Sequence, residues 1–187
     1  MPKEIEVKVR FGDFAALRER LTTAGAVRDR AELELNIFMD TSDGVLRAAG
    51  SGLRVRIAVD EAGVERCRLT FKGPASEEEV RSREELEVEI SDGDVIQVLL
   101  EKLGFEQKLS FEKRRETWHF GETEVVLDEL PLLGSFVEVE GPSKQVIGEA
   151  LLALGLENEQ RVRRGYAPMM GEKLKELGSD NRYVRFE

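Results

Sequence analysis

An α+β domain built on a barrel or strongly curved antiparallel sheet is the fold class this sequence predicts, on three observations. Eight short segments alternate apolar and polar side chains with period two, the signature of strands with one buried face. A few stretches carry helical spacing instead. Between them stand turn signals, among them Ser42-Asp43-Gly44, Glu61-Ala62-Gly63, Gly73-Pro74, Ser91-Asp92-Gly93 and Gly141-Pro142. Hairpin-linked strands with a few packed helices give an α+β layer arrangement.

Taken in order, the first strand is predicted over 3–11 and is followed by a helix over 13–25. Phe14, Leu17 and Leu21 share a face of that helix, and Asp13 is suited to cap its first turn. Strands follow over 31–39, 52–59, 64–72 and 80–90. A second helix covers 92–103, with Val95, Val98, Leu99 and Leu103 in helical spacing and Gly104 closing it. Three more strands are predicted over 108–120, 122–129 and 134–140. A third helix, capped by Ser143, covers 143–154, and residues 167–177 form another. The whole chain, 1–187, reads as one domain with a C-terminal helical tail over about 160–187.

Composition narrows the function. The 187 residues carry 38 acidic and 28 basic side chains, a net charge of −10, which disfavours broad binding to nucleic acid or anionic membranes. One cysteine, Cys67, excludes an internal disulfide framework, and one histidine, His119, excludes histidine-rich metal sites. The N-terminus has no apolar signal segment, and no run is long enough to span a membrane, so a cytoplasmic location is expected. Any metal chemistry must rest on carboxylates.

The polar faces of the strands are unusual. Glu4, Glu6 and Lys8 oppose Ile5, Val7 and Val9, and Arg54 and Arg56 alternate with Val55. Arg66, Arg68, Thr70 and Lys72 oppose Cys67, Leu69 and Phe71; Arg83, Glu85, Glu87 and Glu89 oppose Leu86, Val88 and Ile90; Glu138 and Glu140 alternate with Val137 and Val139. A solvated outer face over an apolar core accounts for any one such strand. A solvent face needs only mixed polar residues, however, whereas these strands present almost pure Glu, Arg and Lys. A sheet curled with its charged face inward would make a charged bore, where buried like charges require compensation. A polyanion beside the cations and a divalent cation beside the carboxylates would supply it.

Several ordered motifs resemble those of a known family. Glu4-Ile5-Glu6-Val7-Lys8 resembles the E-x-E-x-K signature of the CYTH superfamily, the triphosphate tunnel metalloenzymes. Further along the chain, Leu46–Arg56 resembles L-x-x-x-G-x-x-L-R-x-R, and Thr70-Phe71-Lys72-Gly73-Pro74 the T-x-K strand end. Arg83-Glu84-Glu85-Leu86-Glu87 resembles R-x-E-x-E, Lys113-Arg114-Arg115 resembles K-x-R, and Asp128–Glu140 the segment ending L-G-x-F-x-E-x-E. Arg164-Gly165-Tyr166 resembles the K-S-Y element with its neighbours changed. Many members carry Q-x-D-x-Y-F on the second strand, where this chain has Glu34-Leu35-Asn36-Ile37-Phe38-Met39.

The resemblance implies a closed eight-stranded antiparallel β-barrel, the triphosphate tunnel, with helices packed outside, acting on a small-molecule triphosphate with Mg²⁺ or Mn²⁺. It implies metal binding by Glu4, Glu6, Asp128, Glu138 and Glu140, hard oxygen donors suited to those ions. Glu85 and Glu87 are secondary carboxylates that either join them or hold cations in place. Lys8, Arg54, Arg56, Lys72, Arg83, Lys113 and Arg115 are the expected triphosphate clamp. Lys8 and Tyr166 are the catalytic candidates. The subgroup resembled most is the class IV adenylate cyclases, which convert ATP to cyclic AMP and pyrophosphate. A triphosphatase acting on tripolyphosphate, thiamine triphosphate or a nucleoside triphosphate is the alternative, and a non-catalytic triphosphate sensor is a third reading. No nucleic-acid or membrane partner is expected, and an uncovered outer sheet face would favour a homodimer. His119 and Cys67 are read as structural or surface residues, Glu77-Glu78-Glu79 as a solvated loop, and the Met169-Met170 pair as helix packing.

Overall fold

β1 (Lys3–Arg10) begins with the alternation just described, and its partners follow from it. The computed structural model describes residues 3–74 and 81–187; within β1 and β5, side chains are described from Ile5 and from Glu84 onward. The other strands are β2 (Val27–Thr41), β3 (Gly52–Asp60), β4 (Glu65–Lys72), β5 (Arg81–Ile90), β6 (Phe105–Phe120), β7 (Thr123–Leu130), β8 (Gly134–Glu140) and β9 (Tyr183–Val184). They form one sheet in the order β2-β3-β4-β5-β1-β8-β7-β6-β9, curled so far that β2 also pairs with β6.

β2 and β6 are longer than their local sequence patterns predict because each templates the other, in antiparallel register from Val27↔His119 to Thr41↔Phe105. The helices are α1 (Phe14–Thr23), α2 (Val45–Ala48), α3 (Gly93–Lys102), α4 (Lys144–Ala153) and α5 (Tyr166–Glu176). The predicted caps hold: Asp13 accepts from Ala16 N at 3.0 Å and Ser143 Oγ from Val146 N at 3.2 Å. α2, which local periodicity does not reveal, hangs from buried Asp40, whose carboxylate accepts from Leu46 N at 2.9 Å and Arg47 N at 3.0 Å. Gly93 lets α3 approach the sheet, since a Cβ there would stand 2.7 Å from the Ile57 side chain.

The closed eight-stranded, wholly antiparallel barrel expected from the sequence is not what forms. The sheet has nine strands, and β9 runs parallel to β6 at Ser110 and Phe111. The ladder also fails to run straight round at β5. Residues 81–84 of that strand pair with β1, whereas 85–90 pair with β4, so no β5 residue in the ladders is flanked by both. The β1 edge beyond Glu6 is taken instead by the segment 160–162. Arg10 N donates to Gln160 O at 3.0 Å, Val162 N donates to Lys8 O at 2.9 Å, and Val9 bridges Arg161. The physical cause is stagger: with 85–90 committed to β4, only four residues of β5 are left for β1.

The expectation that all helices pack outside is corrected as well. α1 and α4 do cover the outer face, burying Leu17, Leu21, Ile147 and Leu151 against Val7, Val9, Val125, Leu127, Val137 and Val139. α3 does the same beside Ile37, Met39 and Val55. The inner face, however, is charged along only part of its length. Phe38, Leu109, Phe111, Leu130 and Phe136 continue it at one end, and α5 covers them with Met170 and Leu174. Burying that apolar patch is what draws the tail of the chain over the inner face. The acidic run Glu77-Glu78-Glu79 lies outside the described residues.

Candidate functional site

Alternation places the remaining inner-face residues beside one another. The ladder sets Lys8 opposite Glu138, Glu34 opposite Lys113, Asn36 opposite Arg56 and Arg115 opposite Asp128. Lys8, Glu34, Asn36, Thr70, Lys113, Asp128 and Glu138 are all buried, an accumulation of polar groups that outer-face solvation does not explain.

Their contacts make one alternating lattice. Lys8 Nζ lies 2.9 Å from Glu138 Oε1. Arg115 spans Asp128 bidentately, Nε to Oδ1 at 2.7 Å and Nη2 to Oδ2 at 2.6 Å, and the same Nη2 reaches Glu138 Oε2 at 2.7 Å. Lys113 Nζ stands 3.0 Å from Glu34 Oε2 and 3.3 Å from Asp128 Oδ1. Arg56 Nη1 is 3.2 Å from Glu34 Oε1, and Arg56 Nε donates to Asn36 Oδ1 at 3.3 Å. A second branch runs from Arg54 Nη2 to Thr70 Oγ1 at 3.2 Å, and from the Thr70 hydroxyl to Glu87 Oε2 at 2.8 Å. Arg68 also faces Glu87, at 3.6 Å, and Lys72 pairs with Glu85.

Electrostatics record a crowding of cations. Burial and the neighbouring Arg56 push Arg54 down to about 10, and burial and Arg115 push Lys113 down to about 8. Burial alone would raise Glu34, yet Arg56, Lys113, Arg115 and Arg54 together hold it well below the usual carboxylate range. Burial likewise opposes ionisation of Glu138, and Lys8, Arg115 and Lys113 overcome it. Against burial, Asp128, Glu34 and Glu138 raise Arg115 well above its ordinary value.

α5 contributes Tyr166 from its first turn. The phenol donates to Asp128 Oδ2 at 2.9 Å, and Lys8 Nζ sits 3.9 Å from the ring centroid. Burial and the charges of Asp128 and Glu138 push the phenol well above its usual pKa, so it stays a hydrogen-bond donor at neutral pH.

Of the residues singled out from sequence, the structure brings Lys8, Arg54, Arg56, Lys113, Arg115, Asp128, Glu138 and Tyr166 together. Lys72, Glu85 and Glu87 stand on the neighbouring β4–β5 hairpin. Glu6 and Glu140 are register partners one step beyond the Lys8–Glu138 pair. The side chains of Glu4 and Arg83 lie outside the described residues, although their backbones pair across β1 and β5. Sequence reasoning missed Glu34, the buried carboxylate that three cations surround; its alternation with Asn36 and Phe38 was the available signal. His119 is exposed and Cys67 is buried with its thiol pushed up by burial, in keeping with their structural reading. Met170 is fully buried in the α5 core.

As carboxylates, Glu6, Glu138 and Glu140 have the donor chemistry a hard divalent cation takes, and Glu6 and Glu140 are register partners. Among the described residues no group of three or more carboxylate, histidine or cysteine side chains is gathered as a metal cluster. Glu138 and Asp128 turn toward Arg115 instead. None of the helices is long and apolar enough to cross a membrane, among the described residues.

Comparison with known proteins accords with this geometry. The CYTH domain family description matches residues 2–166. The Methanocaldococcus jannaschii protein MJ0240, named provisionally as an adenylate cyclase, is 28% identical over 177 residues, covering 90% of this chain and 98% of its own. Adenylate cyclase CyaB of Aeromonas hydrophila is 27% identical over 181 residues, covering 91% of this chain and 90% of its own. The solved structure of protein PH1819 from Pyrococcus horikoshii superposes with a TM-score of 0.77 at 31% identity, covering 91% of this chain and 99% of that one.

Proposed function

Because this chain belongs to the CYTH domain family and carries the motifs of the triphosphate tunnel superfamily, we propose that it is a divalent-metal-dependent enzyme acting on a triphosphate, with conversion of ATP to cyclic AMP and pyrophosphate as its reaction. One observation carries the reading. Five buried or half-buried cations, Lys8, Arg54, Arg56, Lys113 and Arg115, converge on one inner face, where burial and mutual repulsion weaken the protonated forms of Arg54 and Lys113. A polyanion is the ligand that relieves such crowding. Guanidinium groups grip phosphate oxygens in pairs, and the lysines add compact charge.

In this reading Arg54, Arg56, Lys113 and Arg115 hold the triphosphate. Asp128 positions Arg115 and Lys113, and Glu34 keeps Arg56 and Lys113 in place between turnovers. Tyr166 orders Asp128 from one side and Lys8 from the other. To hold Mg²⁺ or Mn²⁺, which supplies charge neutralisation and Lewis acidity at the reacting phosphate when bound, Glu138 would turn from Lys8 and Arg115 to join Glu6 and Glu140. The similarity to two proteins named as adenylate cyclases favours the cyclase over the hydrolase.

The test is a product assay with purified protein, Mg²⁺ or Mn²⁺, and separately ATP, tripolyphosphate and thiamine triphosphate, with Glu138→Ala as control. Cyclic AMP and pyrophosphate from ATP are the expected products. Orthophosphate without cyclic product would assign a triphosphatase instead, and tight binding without turnover of any substrate would assign a sensor.

A further inference from the structure

An open surface groove of about 530 Å³ lies between the β7–β8 turn, the 160–164 segment and one side of α5. Arg10, Arg161, Arg163, Arg164 and Lys173 line it, against the carboxylates of Glu172 and Glu176. In a chain of net charge −10, five cations against two anions is a local reversal of sign. Internal contacts engage most of those cations, Arg163 among them. Arg164 pairs with Glu172, and Lys173 with Glu176 at 3.2 Å. Arg10 is fixed by Leu133 O, to which it donates at 3.2 Å, and by the Phe136 ring, 4.8 Å away. Arg161 has no ion-pair partner among the described residues, while its backbone is pinned to Val9.

The rest of the lining is apolar: Leu132, Val162 and Met169 contribute to it. Leu132 holds φ at +64°, a left-handed conformation uncommon for a branched side chain, and is 48% exposed. Strain of that kind persists where its surroundings enforce it and clusters at ligand sites.

We propose that this groove binds a phosphorylated organic anion of nucleotide size, its phosphate among Arg10, Arg161 and Lys173 and its ring against Leu132 and Met169. The site is distinct from the inner face, since none of Arg54, Arg56, Lys113 and Arg115 lines it. The two share the 160–166 segment: the Arg164 carbonyl accepts from Lys8 Nζ at 3.4 Å and Val162 N donates to Lys8 O at 2.9 Å.

The experiment is calorimetric titration of the full chain with adenosine 5′-monophosphate in the absence of divalent metal. We expect one equivalent to bind, the double variant Arg161→Glu/Lys173→Glu to bind roughly tenfold or more weakly, and Arg56→Ala to bind as wild type does. No binding, or binding lost in Arg56→Ala and retained in the double variant, would overturn the proposal. So would inorganic pyrophosphate binding as tightly as the monophosphate and with the same dependence on Arg161 and Lys173, because the apolar lining would then have no role. ATP turnover measured with Mg²⁺ on the same variants keeps the two readings apart. Its absence in the wild type refutes the proposed activity, whereas the monophosphate titration alone decides the groove.

Discussion

Replacing Glu34 with glutamine removes one charge and almost no volume from the centre of the cation lattice. The carboxylate it deletes stands 3.2 Å from Arg56, 3.0 Å from Lys113 and 3.9 Å from Arg115. Breaking a buried ion pair by removing one partner costs about 3–5 kcal/mol. Part of that cost is escapable here, because Lys113 already has its pKa pushed down to about 8 and sheds its proton once Glu34 no longer holds it. The loss at pH 7 is therefore set at about 2–4 kcal/mol, a fall in Tm of about 4–16 °C for a chain of this size. The assay is thermal unfolding followed by circular dichroism, with and without tripolyphosphate. The polyanion should stabilise the variant more than the wild type, since it replaces the missing charge. A double variant, Glu34→Gln/Asn36→Asp, moves the carboxylate one inner-face position along and should recover at least half of the loss, because Asn36 Oδ1 already receives Arg56 Nε at 3.3 Å. The pH dependence has a definite sign. Glu34 is depressed in the folded state, so its stabilisation is present above the unfolded carboxylate pKa and is lost as pH falls through the depressed value. The gap between wild type and variant must therefore narrow on acidification below about pH 4.5. A variant as stable as wild type at pH 7, or one that tripolyphosphate stabilises no more than the wild type, would refute the reasoning.

Four further outcomes follow from the same geometry. Lys113, lowered to about 8, takes up a proton when a polyanion binds near neutral pH and above. Triphosphate affinity should weaken as pH rises through and beyond about 8, with proton uptake visible when binding heats are compared in buffers of different ionisation enthalpy. Lys113→Arg should flatten that profile. By itself the same residue makes the fold more stable with rising pH between its folded value and its unfolded value, about 10.4, because the unfolded chain there binds the extra proton. Tyr166→Phe removes the 2.9 Å bond to the Asp128 carboxylate while keeping the ring over Lys8, and should cost about 1.5–3 kcal/mol in urea unfolding. Met170→Ala, at a fully buried α5 position, should cost about 2–5 kcal/mol and expose the tail to proteolysis; resistance equal to wild type would count against α5 as a cover of the inner face.

The local code of this chain was legible wherever neighbours in sequence decide the outcome. Period-two alternation located the eight principal strands and sorted Lys8, Arg54, Arg56 and Glu138 onto the charged faces, because side-chain direction along a strand is fixed by the pleat, while Lys113, Arg115 and Asp128 were marked by the family motifs. Asp13 and Ser143 announced their helices for the same reason: a cap needs only the three residues that follow it. What lay beyond reach were relations between distant segments. Nothing near residues 27–30 or 105–107 marks them as strand; they extend because β2 and β6 meet across the curled sheet. The stagger that divides β5 between β1 and β4, and lets 160–162 take the remaining β1 edge, depends on where several turns bring the strands into register.

The sequence by itself determined the alternating charge and the family to which those motifs belong. Only the tertiary structure decided that α5 covers the apolar end of the inner face and that Asp128 is wrapped by Arg115, Lys113 and Tyr166. It likewise decided that Glu34 is the carboxylate beneath the cations. The physical reason is common to all three. A charge or an apolar side chain states what it requires, but partners separated by tens of residues are chosen only when the folded sheet sets the distances between them.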